Sequence, residues 1–306
     1  MILHSIPELK SLLNPLVIAA GVFDGVHLGH QTLIRRALED ARSYGASCVV
    51  LTFDPHPAQF LRPSRAPHLL TSTSHKIRLL QDLGIQYFLI LPFNAELAGL
   101  SAHRFVELLV QNAPSLCEIC VGYNWNFGKG RKGNVDLLRQ LGPELGFQVI
   151  EIGMVEMEGE AISSTRIRHA IQRGDLSSAA KYLGREYTIL GTVATGEARG
   201  RFIGFPTANL AAHNELFPPN GVYAVHVLLE GKVHRGVANI GIRPTVSSST
   251  QRLLEVHLLD FSADIYGKDL EVRFESYLRA EIKFPDIQAL RIQIEKDILR
   301  VRKMSW

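Results

Sequence analysis

Hydrophobic patterning changes character once along this chain, near residue 184, and that change constrains the fold more than any other feature. Up to that point short apolar runs alternate with amphipathic stretches. LVIAA (16–20) precedes HQTLIRRALEDARSYG, CVVLTF (48–53) precedes a Pro-rich loop and HKIRLLQDLG, YFLILPF (87–93) precedes AHRFVELLVQ, EICVG (118–122) precedes VDLLRQLGPELG, and FQVIEI follows. Continuous apolar runs separated by segments with helical spacing predict strand, helix, strand units and a parallel sheet covered on both faces. Beyond residue 184, YTILGTVA, GVYAVHVLLE, KVHRGVANIG, LLEVHLLDF and LEVRFESYLRAE follow one another with turn-rich pieces such as EGK, FPPNG and YGKD between them. That texture predicts a small antiparallel β-barrel with one C-terminal helix, from about Pro285 to Arg302. The expected organisation is an α/β N-terminal domain over residues 1–184 and a β domain over residues 185–306.

Composition excludes several classes of protein. With 33 basic and 30 acidic residues and a net charge of +3, the chain lacks the basic footprint of a protein whose bulk partner is nucleic acid. No apolar run reaches the roughly 18 residues needed to span a bilayer. The first ten residues, MILHSIPELK, show no basic segment leading into an apolar stretch and a cleavage site, so the expectation is a cytoplasmic protein with no membrane partner. Cys48, Cys117 and Cys120 sit in apolar surroundings and read as reduced, buried thiols; the CxxC of Cys117 and Cys120 has no second CxxC or HxxxH to complete a zinc site.

The residues that carry chemistry gather where a parallel sheet would present them. GVFDGVHLGH (21–30) follows LVIAA directly, at the carboxyl end of a strand, where open α/β sheets bind ligands. His27 and His30 share one face of a first helical turn, whose free N–H groups and dipole favour an anion. Gly21, Gly25 and Gly29 let backbone and ligand approach closely. Together these residues describe a triphosphate cradle. A plain capped helix with two exposed histidines fits the same letters, and a metal site would need His56 as a third ligand. ISSTRIRHAIQRGD (162–175) sets Ser163, Ser164, Thr165, Arg166 and Arg168 at a helix start, and reads either as a second anion-binding element or as an N-cap with a solvated charge.

GVFDGVHLGH, TFDPHP (52–57), VGYNWNFGKGRKG (121–133) and ISSTRIR together resemble the adenylyltransferase half of the bacterial bifunctional riboflavin kinase/FAD synthetase family. GRFIGFPTANL (200–210), GVYAV (221–225), GVANIGIRPTV (236–246) and LEVHLLDFSADIYG (254–267) resemble its kinase half, in the same order and spacing. The resemblance implies a Rossmann-like nucleotidyltransferase domain followed by a riboflavin kinase barrel. It implies two reactions: riboflavin and ATP give FMN, then FMN and ATP give FAD and pyrophosphate, with Mg²⁺ as cofactor and ATP as co-substrate. The accompanying expectation is a monomer or weak homo-oligomer. His27, His30, Ser164, Thr165 and Arg168 match positions that hold ATP phosphates, Asn124 matches a position associated with ATP and magnesium, and His56 and Pro57 match the loop at the FMN end. One departure is NWNFG, where many relatives carry an Asp-Phe pair and a basic residue at the positions of Asn124, Trp125 and Asn126.

In the second half, Thr207 and Asn209 are two apart in an extended segment and face the same way, so both oxygens can address one metal-bound phosphate. No Walker A or GxGxxG spacing accompanies them. The resemblance implies that PTAN binds Mg-ATP through Thr207 and Asn209, and that Glu255 is the catalytic base for the riboflavin 5′-hydroxyl. From the residues alone, Glu255 is an outward strand carboxylate, and Arg199, Arg201 and Arg243 a solvated strand face. Thr195 stands where relatives commonly have His and receives no role. Other readings are a chain with only the kinase half active, a flavin-binding protein without turnover, and a tRNA synthetase with HLGH and a KMS partner. A general base argues against the second. Against the third stand the near-neutral charge and the place of Lys303 to Ser305 at the end of the chain.

Overall fold

The structure, a computed structural model, describes residues 1–113, 115–195, 204–214, 216–243 and 251–305. Its contacts divide the chain into two compact units, residues 1–67 with 73–163 and residues 68–72 with 164–306. The strands of the first unit are β1 (Ile2–Leu3), β2 (Leu16–Ala20), β3 (Ser47–Asp54), β4 (Tyr87–Pro92), β5 (Leu116–Gly122) and β6 (Gln148–Ile152), with a short hairpin of β7 (Glu156–Met157) and β8 (Glu160–Ala161). Its helices are α1 (Leu28–Ser43), α2 (Pro57–Leu61), α3 (Thr73–Asp82), α4 (Ala95–Gly99), α5 (Ala102–Asn112) and α6 (Val135–Leu145).

The sheet is parallel throughout, in the order β1-β4-β3-β2-β5-β6. The alternation of β2 explains why its five residues are all apolar. Leu16, Ile18 and Ala20 face a core with Phe105, Leu109 and Leu138, whereas Val17 and Ala19 face one with Leu33, Ile34 and Ala37 of α1. Each such fully buried large aliphatic side chain contributes about 1.5–3 kcal/mol. The strand order reverses at β2, between β3 on one side and β5 on the other, and such a switch point is where open α/β sheets bind ligands. The two-residue strand β1, which pairs with β4, extends the sheet beyond the five strands expected.

The second unit begins with α7 (Ser164–Gln172) and α8 (Leu176–Leu183). It continues through β9 (Thr188–Ala194), β10 (Ala208–Ala212), β11 (Gly221–Leu229), β12 (Lys232–Arg243), β13 (Gln251–Leu258) and β14 (Asp269–Arg279), and ends with α9 (Ile287–Lys303). The six strands close into a barrel, β10-β13-β12-β11-β14-β9, with every pairing antiparallel. Val222, Ala224 and Leu278 pack with Val301 of α9 on the outside, and Tyr223 and Val225 point the other way, into the barrel. There Tyr223 meets Phe274 edge-on at 5.3 Å. Asp286 caps α9 by accepting from the Ala289 N–H at 2.8 Å, and Arg279 of β14 anchors the helix by donating to Asp297 at 2.8, 2.9 and 3.2 Å.

Candidate active sites

The loop between β2 and α1 is built so that two imidazoles share the helix start. His27 is the N-cap of α1: its Nδ1 accepts from the His30 N–H at 3.4 Å. With Nδ1 accepting, a neutral ring holds its proton on Nε2, which makes that atom the donor. The two rings stack with centroids 3.6 Å apart, and Phe23 meets His30 edge-on at 5.2 Å. Gly29 permits the stack, because a Cβ there would lie 3.2 Å from the His27 ring. The loop is also strained: Phe23 and Val26, neither of them glycine, have φ of 53° and 42°. Such conformations cost of order 1–3 kcal/mol each and gather at functional sites.

Two more loops open at the carboxyl ends of the strands that flank β2. After β3, His56 caps α2 through Nδ1, which accepts from the Ala58 N–H at 3.0 Å, while the Gln59 side chain accepts from the His56 N–H at 3.2 Å. His56 and Pro57 thus hold the shape of this loop. After β5, Asn124 is exposed in a turn where Asn126 donates to its carbonyl at 2.7 Å, and Trp125 stacks on the buried Phe127 with centroids 4.5 Å apart. The side chain of Asn126 is therefore engaged within the turn.

Ser164 and Thr165 open α7, in the second unit, with Ser164 half-buried and Thr165 exposed. Arg168, one turn on, donates through Nε to the His68 carbonyl at 2.7 Å, and Arg166 lies over the Tyr182 ring at 4.3 Å. The first turn of α7 thus combines hydroxyls, helix N–H groups and a guanidinium, which is anion-binding chemistry.

In the barrel, pairing register assembles the other residues. Asn209 of β10 lies directly opposite Glu255 of β13, and Glu255 lies opposite Asn239 of β12 on its other side. Directly paired residues share a face, so a carboxylate stands between two amides in one row. Asn239 was missed in the sequence, where GVANIGI reads as plain strand; its Nδ2 donates to Glu281 at 3.4 Å. Exposed Thr207 lines a cavity of about 320 Å³ with Val193, Leu258, Phe261 and Tyr266. Phe205, two residues earlier, borders a second cavity, of about 380 Å³, with His257, Ile298 and Arg302. Thr207, Asn209 and Glu255 offer oxygen donors only, which suits a hard cation such as Mg²⁺. Arg199 and Arg201, with the GRFI and PTV portions of the motifs, lie outside the described residues.

The cysteines form no disulfide. Burial pushes the Cys48 thiol up to about 12 and the Cys120 thiol upward as well, so both remain protonated and inert. Asp40, Glu118 and Cys120 offer ligand atoms within 4.8 Å of one another. Arg36 already pairs with Asp40 at 2.6 Å, and Cys120 donates to Glu118 at 2.9 Å.

A parallel sheet with a histidine-bearing loop at its switch point, followed by a closed six-stranded barrel with a half-buried carboxylate between two amides, defines a two-domain transferase of phosphoryl or nucleotidyl groups. Residues 9–166 match the family model for FAD synthetase, and residues 183–305 match that for riboflavin kinase. The chain belongs to the bifunctional riboflavin kinase/FMN adenylyltransferase family. A protein of that name from Haemophilus influenzae is 38% identical over 298 residues, covering 97% of this chain and 96% of the relative. One from Escherichia coli is 38% identical over 288 residues, covering 94% and 92%. A solved structure titled as a macrolide-efflux protein from Streptococcus pneumoniae has 32% identity and a TM-score of 0.84, covering 100% of this chain and 99% of that one. Among the described residues no helix is long and apolar enough to cross a membrane.

Proposed function

We propose that this bifunctional enzyme runs its two reactions at two separate sites, FMN adenylylation in residues 1–184 and riboflavin phosphorylation in residues 185–306. The cross-strand row of Asn209, Glu255 and Asn239, with Thr207 beside it, carries the assignment for the kinase. Glu255 accepts the proton of the riboflavin 5′-hydroxyl as that oxygen attacks the γ-phosphorus of ATP, and ADP leaves. Thr207 and Asn209 would hold Mg²⁺, which supplies charge neutralisation on the phosphates when bound. The segment from Gly204 to Thr207, which leads into the row, borders both cavities.

In the adenylyltransferase, the FMN phosphate attacks the α-phosphorus of ATP and pyrophosphate leaves, so no protein nucleophile is needed. His27 and His30 donate to the phosphates at the start of α1, and Ser164, Thr165 and Arg168 are the phosphate-binding residues at the start of α7. Asn124 addresses the nucleotide from the end of β5, and His56 and Pro57 shape the FMN end beyond β3. The proposal includes a cytoplasmic location for both reactions.

The test is to supply the full-length protein with riboflavin, ATP and Mg²⁺ and to separate the flavins by chromatography, beside Glu255→Gln. The wild type is expected to form FMN and then FAD. Glu255→Gln is expected to lose roughly 10²- to 10⁴-fold in FMN formation while still converting added FMN to FAD. Loss of both activities in the variant would refute separate sites, and FMN alone from the wild type would leave only the kinase active, with NWNFG as the point of failure.

A further inference from the structure

A lysine sits inside the first unit with no carboxylate in hydrogen-bonding contact among its described bonds. Lys76, on α3, is 5% exposed, and its Nζ donates to the hydroxyl of Thr52 on β3 at 3.3 Å. Thr52 is itself buried and donates to the carbonyl of Val22 at 3.1 Å, so a hydrogen-bonded chain runs from α3 through β3 into the loop that follows β2. That loop is the strained segment that delivers His27 and His30. Two carboxylates act on the ammonium: Asp24, from the same loop and 3% exposed, and Asp54, at the end of β3 just before His56. His75 and Arg78 are its titratable neighbours on α3 itself.

Burial dominates over both carboxylates and lowers the ammonium from 10.5 to about 8. A group in that condition makes folding harder, because its charge is desolvated more than it is compensated. Of the buried residues of α3, Leu80 belongs to the apolar core, while Lys76 and His75 bring polar groups into it. A costly buried charge at the mouth of a ligand crevice is the signature of a residue kept for the site.

We propose that Lys76 is a positioning residue for adenylyl transfer: it fastens the loop that carries His27 and His30 to the strand end that leads into His56. The inference rests on the assignment of adenylyl transfer to this unit. Lys76 does not touch the reacting atoms. It holds the N–H groups and imidazoles of the α1 start in their strained arrangement, so that the phosphates meet donors already in place.

The experiment uses the full-length protein with two near-isosteric variants, Lys76→Met and Thr52→Val, assayed for FAD formation from added FMN and, as an internal control, for FMN formation from riboflavin. Lys76→Met is expected to lose at least tenfold in FAD formation, to keep FMN formation within twofold, and to melt no lower than wild type. Thr52→Val is expected to reproduce the loss, since it cuts the same chain without removing the lysine. Wild-type FAD formation is expected to decline as pH rises through about 8, and Lys76→Met to lack that decline. Wild-type rates in Lys76→Met, or the same alkaline decline in it, would overturn the proposal. So would a lowered melting temperature with loss of both activities, which marks an ordinary core residue. If the wild type itself forms no FAD from FMN, the assignment of adenylyl transfer fails instead.

Discussion

His30 lies flat against His27, ring centroids 3.6 Å apart, while its backbone N–H donates to the Nδ1 of the same ring. One histidine is therefore the cap of the helix that presents the other, besides being a phosphate donor in the proposed site. The two are separable by mutation. His30→Ala is expected to reduce FAD formation from FMN by roughly 10²- to 10³-fold without changing the melting temperature or FMN formation. His27→Ala should show the same catalytic loss and in addition cost about 1 kcal/mol of stability through the lost cap. Thermal melts beside the two flavin assays check this, and equal stability of the two variants would remove the capping role.

Gly29 offers a cleaner separation of stability from activity. A methyl there would come within 3.2 Å of Cε1 and Nδ1 of the His27 ring, forcing the ring to give way by a few tenths of an ångström. Alanine is otherwise favoured over glycine in a helix by about 1 kcal/mol. Gly29→Ala is thus expected to melt at or above the wild-type temperature and yet to show a raised KM for ATP in FAD formation. An unchanged KM would mean that the ring position is not critical.

At the other end of the chain, α9 is held to the barrel by Arg279 and Asp297, the latter 5% exposed. Replacing Asp297 by Asn leaves a half-buried guanidinium without its counter-charge, at a cost of about 2–4 kcal/mol. The melting temperature of the barrel should fall, and FMN formation should be lost on warming before FAD formation is. Simultaneous loss of the two activities would show that the units do not unfold separately.

Lys76 also makes a statement about pH. Its folded value, about 8, lies below the ordinary 10.5, so between these limits the unfolded chain holds a proton that the folded chain has released. Stability from this group is present above pH 10.5 and is lost as pH falls through about 8. Lys76→Met is therefore expected to be more stable than wild type near pH 7, with the difference shrinking as pH is raised across that window. Denaturant melts at several pH values measure it, and a difference independent of pH would contradict the buried charge.

What the sequence determined by itself was the class of each half. Continuous apolar runs need both faces buried, and closely spaced strands with turn residues leave room only for antiparallel pairing, so the parallel sheet and the barrel were legible from local periodicity. The terminal helix was expected from about Pro285 to Arg302 and spans Ile287–Lys303, because Asp286 accepts from the Ala289 N–H and sets its start. The long motifs around His27, Thr207 and Glu255 were equally legible, since each is contiguous. Strand β1 was not, because two residues carry no period.

Only the tertiary structure decided which distant residues share a face. Asn239 joins Glu255 and Asn209 because closure of the barrel sets the register of β12, β13 and β10, and register belongs to no single segment. Lys76 reads in HKIRLLQDLG as the polar side of an amphipathic helix, yet the packing of α3 on the sheet turns it inward to Thr52. Backbone geometry repeats every few residues and is written locally; burial depends on what the rest of the chain places opposite.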